Sequence, residues 1–349
     1  DKVQEEIRFQ KKELKLTEFD EVGLRQASGQ VFFNTSRFTL KKLLAEPSQL
    51  EINFQHYLDS FSANVKEIIQ KFAIKQQIET KLNGNVLLGV LEKVTSPEIN
   101  LSPHDVLNPR GETLPGLTNL GMGYVFEELI RRFNEENNEE AGEHFTPREV
   151  IKLMTHLVFL PVKPRIGKGV FLIYDPACGS GGMLTEAEAF ITDPEGEIHS
   201  KGQIELYGRE INAETYAICK SDMMIKGKNP ENIKGGSNEL STLAVDVFQH
   251  LRFDFMLSNP PYGKSWKADQ DAVLQGRYII DPRFAVGVPR SNDGQLLFLL
   301  EMIHKMKDTP AGSRIASIHN GSALFTGDAG SGESEIRRHI LENDLLEAI

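Results

Sequence analysis

The chain is poor in cysteine and short of positive charge. Only Cys178 and Cys219 occur in 349 residues, which excludes a disulfide framework and any zinc site built on cysteine spacing. A reducing, cytoplasmic setting is the expectation that follows. No apolar run approaches the length of a membrane span, and no signal-peptide pattern is visible. Internal repeats and low-complexity tracts are lacking too. Lysine and arginine number 39 against 50 aspartates and glutamates, a formal net charge of −11. Nucleic acids are gripped chiefly through Lys and Arg at their phosphates. A chain of this balance is poorly placed to hold a duplex alone, although a local basic groove stays compatible with it. The acidic stretch 134–143 reads as a solvated loop.

What is present divides into regions. Residues 1–112 read as mostly helical, with Val65, Ile68, Ile69 and Phe72 at helical spacing. A helix is expected over 114–133, from Leu117, Leu120, Tyr124, Leu129 and Phe133. From Thr146 onward, helices alternate with short apolar strands, the pattern of a mainly parallel sheet. Strands are expected near 170–174, 204–208, 231–234, 252–257 and 313–318. The fold class is therefore α/β, a mainly parallel sheet preceded by an α-helical N-terminal domain, with domains at 1–112 and 113–349.

Three strand ends carry chemistry. Phe253 to Ser258 leads into Asn259-Pro260-Pro261-Tyr262. Neither proline has an N–H for a ladder, so the strand stops at Asn259 and leaves an amide at the carboxyl edge of the sheet, where open α/β sheets bind ligands. An amide, a rigid carbonyl and an aromatic ring suit a flat base carrying an amino group. The run Val170–Tyr174 enters Asp175-Pro176-Ala177-Cys178-Gly179-Ser180-Gly181-Gly182, a turn that allows close backbone approach. It matches neither the dinucleotide fingerprint nor a phosphate loop, and its acid suits a cationic ammonium group. Cys178 reads as a small buried residue, because no histidine near it in sequence could activate it. Residues 204–210 form a strand ending in Glu210, placed either to accept from ribose hydroxyls or to open the following helix. Ile211 could lie against an adenine ring. Thr146-Pro147-Arg148-Glu149 reads as a capping box with proline at the first helical position, at a helix start suited to a carboxylate.

Asp175 to Gly182, Gly208-Arg209-Glu210 and Asn259 to Tyr262, in this order, resemble the amino-methylating, S-adenosylmethionine-dependent DNA methyltransferases. The modification subunit of type I restriction–modification systems is the nearest pattern. Glu143 to Val150 and Phe54 to Ser62 resemble further segments of that family. The resemblance implies a Rossmann-like methyltransferase domain that takes S-adenosylmethionine at Phe145, Thr146, Asp175, Cys178, Gly179, Ser180, Gly181, Gly182, Glu210, Ile211 and Asn238. It implies catalysis by Asn259, Pro260, Pro261 and Tyr262 on N6 of an adenine flipped out of DNA, with no metal. The implied partners are DNA, a specificity subunit and a restriction subunit. Other acceptors, a protein glutamine or cytosine N4, stay open, as does a non-catalytic scaffold. The segment 263–292 carries Lys264, Trp266, Lys267, Arg277, Tyr278, Arg283, Phe284 and Arg290. It reads as a contact for a nucleic-acid strand or as a surface loop. Leu345 to Ile349 reads as the opening of a sixth strand, so a C-terminal part is expected beyond this chain.

Overall fold

The computed structural model describes residues 2–82, 84–136, 146–309 and 312–349. By compactness the chain divides into two units, Asp1–Asn137 with Lys220–Pro230, and Asn138–Cys219 with Glu231–Ile349. The expected boundary at 112/113 and this division differ in where they place the helix Asn119–Glu136.

The first unit is helical. Helices Leu50–Asp59, Ala63–Lys71, Ile74–Thr80 and Gly84–Val94 enclose Leu50, Leu58, Ile69, Ile78, Leu87 and Leu91. The periodic Ile68 and Ile69 are buried as their spacing requires. The expected helix over 114–133 begins later, at Asn119. Thr113–Leu114 instead pairs antiparallel with Val106–Leu107. Pro115 explains this, since the residue before a proline is pushed to extended backbone.

The second unit is built on a five-stranded sheet. Its strands are β1 (Val170–Asp175), β2 (Gln203–Glu210), β3 (Ile233–Gly235), β4 (Phe255–Ser258) and β5 (Arg314–Ser317). Their order is β3-β2-β1-β4-β5, every pair parallel. Strand order reverses between β1 and β4, so their carboxyl ends flank the crevice where such sheets bind ligands. β4 begins at Phe255 rather than near 252. Phe253 makes only an isolated bridge to Met306, and the Asp254 carboxylate takes the Leu172 N–H and Lys307. Residues 345–349 form no strand, and Leu345 N–H donates to the Ile340 carbonyl.

Helices cover both faces. On one, Phe159 at the end of α1 (Arg148–Phe159) packs edge-on to Phe255 at 4.9 Å and stacks with Phe190 of α2 (Gly182–Thr192) at 6.0 Å. On the other, Tyr174, Phe253 and Met256 pack with Met302 of α4 (Gln295–His304). Between them in sequence, α3 (Ala213–Ile225) follows β2. The second face also holds a buried ionic cluster. Glu301 accepts from the Tyr174 hydroxyl and from Arg283, both at 3.1 Å. Arg283 also binds Asp281 and the Thr242 and Leu243 carbonyls, and Lys305 holds Asp246. Partners at each charge offset the cost of taking it from water. Among the described residues no helix is long and apolar enough to cross a membrane.

Candidate active site

The turn after β1 follows from its glycines. Gly179 and Gly181 hold φ of 54° and 86°, left-handed backbone that other residues seldom adopt. Gly181 thereby takes the position before α2, which begins at Gly182 after the turn that leaves β1 at Asp175. The Cys178 N–H donates to the Arg209 carbonyl and the Thr242 hydroxyl to the Pro176 carbonyl, which fix the turn to its surroundings. Cys178 is buried, its sulfur 3.9 Å from that of Cys219. The hydrogen bond between the thiols and burial together push the Cys178 thiol well up, so it is inert at neutral pH.

Two carboxylates border this turn from adjacent strands. Asp175 is 2 % exposed. Its Oδ1 accepts from Ala177 N–H at 2.9 Å and from the Ser258 hydroxyl at 2.7 Å. Burial pushes this carboxyl up to about 7, against the two hydrogen bonds, and Glu210 adds to the rise. Glu210 reaches across from β2, its Oε2 accepting from Gly179 N–H at 3.0 Å and its Oε1 from Asn212 N–H at 2.7 Å. Glu210 is not the cap of α3. Asn212 takes that role, its Oδ1 accepting from Glu214 and Thr215 N–H. The carboxylate therefore stands over the turn rather than over the helix. Gly235 is required here as well, because a Cβ would lie 1.8 Å from the Glu210 carbonyl. Ile211 is 45 % exposed, and Asn238 is exposed at the start of the turn Asn238–Leu240.

Across the crevice β4 ends in the amide. Asn259 Nδ2 donates to Thr146 Oγ1 at 3.2 Å, while its Oδ1 is buried without a partner among the described residues. Pro260 is buried and Tyr262 is 44 % exposed. The chain thus brings Thr146, Asp175, Glu210 and Asn259 to one edge of one sheet. Phe145 lies outside the described residues. The expected capping box does not form. α1 starts at Arg148, and the Pro147 carbonyl receives the first helical bonds from Val150 and Ile151. Thr146 is one residue too early to cap, and its hydroxyl serves Asn259 instead.

The segment 263–292 is more ordered than its composition implies. It contains a short helix, Gln270–Val273, and a hairpin of Leu274–Gln275 with Tyr278–Ile279. Three residues expected to face a nucleic-acid strand are turned inward. Trp266 and Phe284 are core residues, and Arg283 is spent on Asp281 and Glu301. Lys264, Lys267, Arg277, Tyr278 and Arg290 are exposed.

Several supporting residues carry no local sequence motif. Asp293 Oδ1 accepts from Gly263 N–H, directly after Tyr262, and Asp293 Oδ2 from Gln295 Nε2. Because the carboxylate only accepts, it fixes the Gln295 amide, whose Oε1 takes Asn320 N–H and faces His319 Nδ1 at 3.3 Å. The loops after β4 and β5 are thereby tied together. Burial lowers His319 to about 4, with Asp293 opposing, so it is neutral at pH 7. The available signals were an Asp-Gly-Gln step opening a helix and a His-Asn pair closing a strand. Ser258, which joins the tip of β4 to that of β1, had only its place before Asn259.

Comparison with known proteins agrees with the fold. Residues 119–349 match the family model described as N-6 DNA Methylase. The methylase subunit of the type I restriction enzyme HindI from Haemophilus influenzae is 26% identical over 295 residues, spanning 84% of this chain and 58% of that protein. The MjaIX methylase subunit of Methanocaldococcus jannaschii is 29% identical over 234 residues, 65% of this chain and 37% of its own length. Among solved structures, the type I restriction–modification methyltransferase subunit of Streptococcus thermophilus superposes with a TM-score of 0.66 at 22% identity, covering 93% of this chain and 64% of that one. The chain thus spans less than two thirds of the length of these relatives. The chain belongs to the N-6 DNA methylase family.

Proposed function

We propose that this chain transfers a methyl group from S-adenosylmethionine to N6 of adenine in DNA, as the catalytic part of a type I modification subunit. The observation that carries the proposal is the Asn259 amide. Its nitrogen donates to Thr146 while its oxygen is a buried acceptor with no partner among the described residues. An unsatisfied buried acceptor costs about 1–3 kcal/mol, and such a cost persists where the atom has a ligand to meet.

The residues at the strand tips fit the cofactor. Asp175 suits its ammonium group, Glu210 its ribose hydroxyls, and the exposed Ile211 its adenine ring. The turn 178–182 admits close backbone approach, and among the described residues nothing beyond its chain neighbours and its own helix backbone lies within 4 Å of where a Cβ on Gly182 would stand. Phe145 and Asn238 complete the proposed set. When bound, the cofactor supplies an electrophilic methyl group. The protein's part is orientation and electrostatics. The lone pair of an adenine amino group is delocalised into the ring and weakly nucleophilic. Asn259 Oδ1 and the Pro260 carbonyl would accept its two N–H bonds, concentrating density on nitrogen and aiming it. The base must leave the stack to reach this depth, and the half-exposed ring of Tyr262 would stack on it.

Partners follow from charge. With a net charge of −11, the chain needs other subunits for much of its phosphate grip. Specificity and restriction subunits would supply it, in the cytoplasm where DNA is at hand. Residues 1–112 are read as a helical docking or DNA-clamping domain and 113–349 as the catalytic domain. The test is transfer of tritiated methyl by the chain assembled with its partner subunits, offered unmethylated genomic DNA, cytosine-only acceptor DNA and a glutamine peptide in turn. Label on adenine N6 supports the proposal. Label on cytosine or glutamine overturns it.

A further inference from the structure

In the reaction proposed above, Asn259 must present its oxygen and not its nitrogen to the incoming amino group. An amide has nearly the same shape either way round, so something in the productive complex must favour one orientation. Only one side-chain hydrogen bond to this amide is present among the described residues, from Nδ2 to Thr146 Oγ1 at 3.2 Å. Thr146 has no duty elsewhere at the helix start. The Pro147 carbonyl takes the first helical bonds, and among the described residues no side chain caps α1.

We propose that Thr146 is the positioning residue of Asn259. In the observed orientation its hydroxyl accepts from the amide nitrogen, which leaves the carbonyl oxygen to meet the target amino group. A hydroxyl can also donate, so the flipped amide would satisfy Thr146 equally well. The flipped amide would, however, set its own N–H groups against those of the substrate, donor against donor. The bound base therefore selects the observed orientation, and Thr146 keeps that orientation hydrogen-bonded on its far side. This role differs from the cofactor contact that the family resemblance implies for Thr146, and the two can be told apart.

The inference rests on the adenine reading, so the experiment includes a variant that tests that reading alone. The chain assembled with its partner subunits is compared with its T146V, T146S and N259A forms. Single-turnover methylation of unmethylated genomic DNA is followed at saturating S-adenosylmethionine, and cofactor affinity is measured by calorimetry. Valine keeps the shape of threonine and removes the hydroxyl. The expected result is a rate about tenfold lower for T146V, the scale of one neutral hydrogen bond. Cofactor Kd should stay within about twofold, and T146S should recover most of the rate. The inference is overturned if T146V weakens cofactor binding and regains full rate at saturation, which is the behaviour of a cofactor contact. It is equally overturned if T146V turns over like the parent while N259A is inactive. Turnover by N259A would instead sink the adenine mechanism, whatever T146V does.

Discussion

Under the proposed assignment of Asp175 to the cofactor's ammonium group, cofactor binding should depend on pH through this carboxyl. The carboxyl is buried at the tip of β1 and raised to about 7 by that burial, even with Ala177 N–H and the Ser258 hydroxyl bound to it. A ligand ammonium needs the ionised form. With a value near 7, about one tenth of the carboxyl is ionised at pH 6 and about three quarters at pH 7.5. The Kd for S-adenosylmethionine should therefore fall about eightfold between these values, while the ligand's amino group stays mostly protonated. Stability moves the other way. From about pH 4 to pH 7 the folded chain holds a proton on Asp175 that the unfolded chain has lost, so this group's contribution falls as pH rises through that window. His319, held down to about 4, opposes it, because its contribution is lost as pH falls from about 6.5 toward 4. Asp175→Asn isolates the first effect. The variant should bind the cofactor weakly at every pH, lose the pH slope and unfold at a higher temperature than the parent at pH 7.5. Titration calorimetry at four pH values between 6 and 7.5 measures the slope. A flat Kd in the parent, or one that weakens as pH rises, would refute this role for Asp175.

Two further outcomes follow from the same atoms. Glu210→Ala strips an acceptor from the Gly179 and Asn212 amides and should weaken cofactor binding about tenfold, as expected for a charge-assisted hydrogen bond; unchanged calorimetry in the folded variant would remove Glu210 from the site. Glu301→Ala leaves the Tyr174 hydroxyl unpaired and Arg283 with one carboxylate fewer. It should cost about 3 kcal/mol in urea unfolding, and a loss near zero would show that the ionic cluster is not stabilising.

The sheet was readable because strands buried on both faces appear as continuous apolar runs; Val170–Tyr174 is such a run, buried from Ile173 on although Val170 at its start is exposed. The two prolines after Asn259 set the end of β4 by chemistry alone. Asp175 and Glu210 were legible for the same reason, as acids at strand tips. Side chains whose place depends on distant partners were not. Trp266, Arg283 and Phe284 look like an aromatic and basic surface in a line of sequence, yet each is buried by elements that return to it from elsewhere in the chain. Thr146 failed for a subtler reason. A capping box and a hydroxyl needed by Asn259 differ by one residue in the helix start, and that register depends on packing. Glu301 did leave a signal. An acid inside Leu-Leu-Glu-Met of an apolar helix must find a cation when the helix is buried, though its partner Arg283 could not be named without the fold.

The account stands most directly on the oxygen of Asn259. Asn259→Ala, assembled with its partner subunits, should lose tritiated methyl transfer to adenine by at least about a hundredfold, the scale seen when one preorganised catalytic hydrogen-bonding group is removed. Its calorimetric affinity for S-adenosylmethionine should stay within about threefold of the parent. Near-normal transfer by that variant would contradict the mechanism. Loss of transfer together with loss of cofactor binding would show instead that Asn259 serves the cofactor rather than the base.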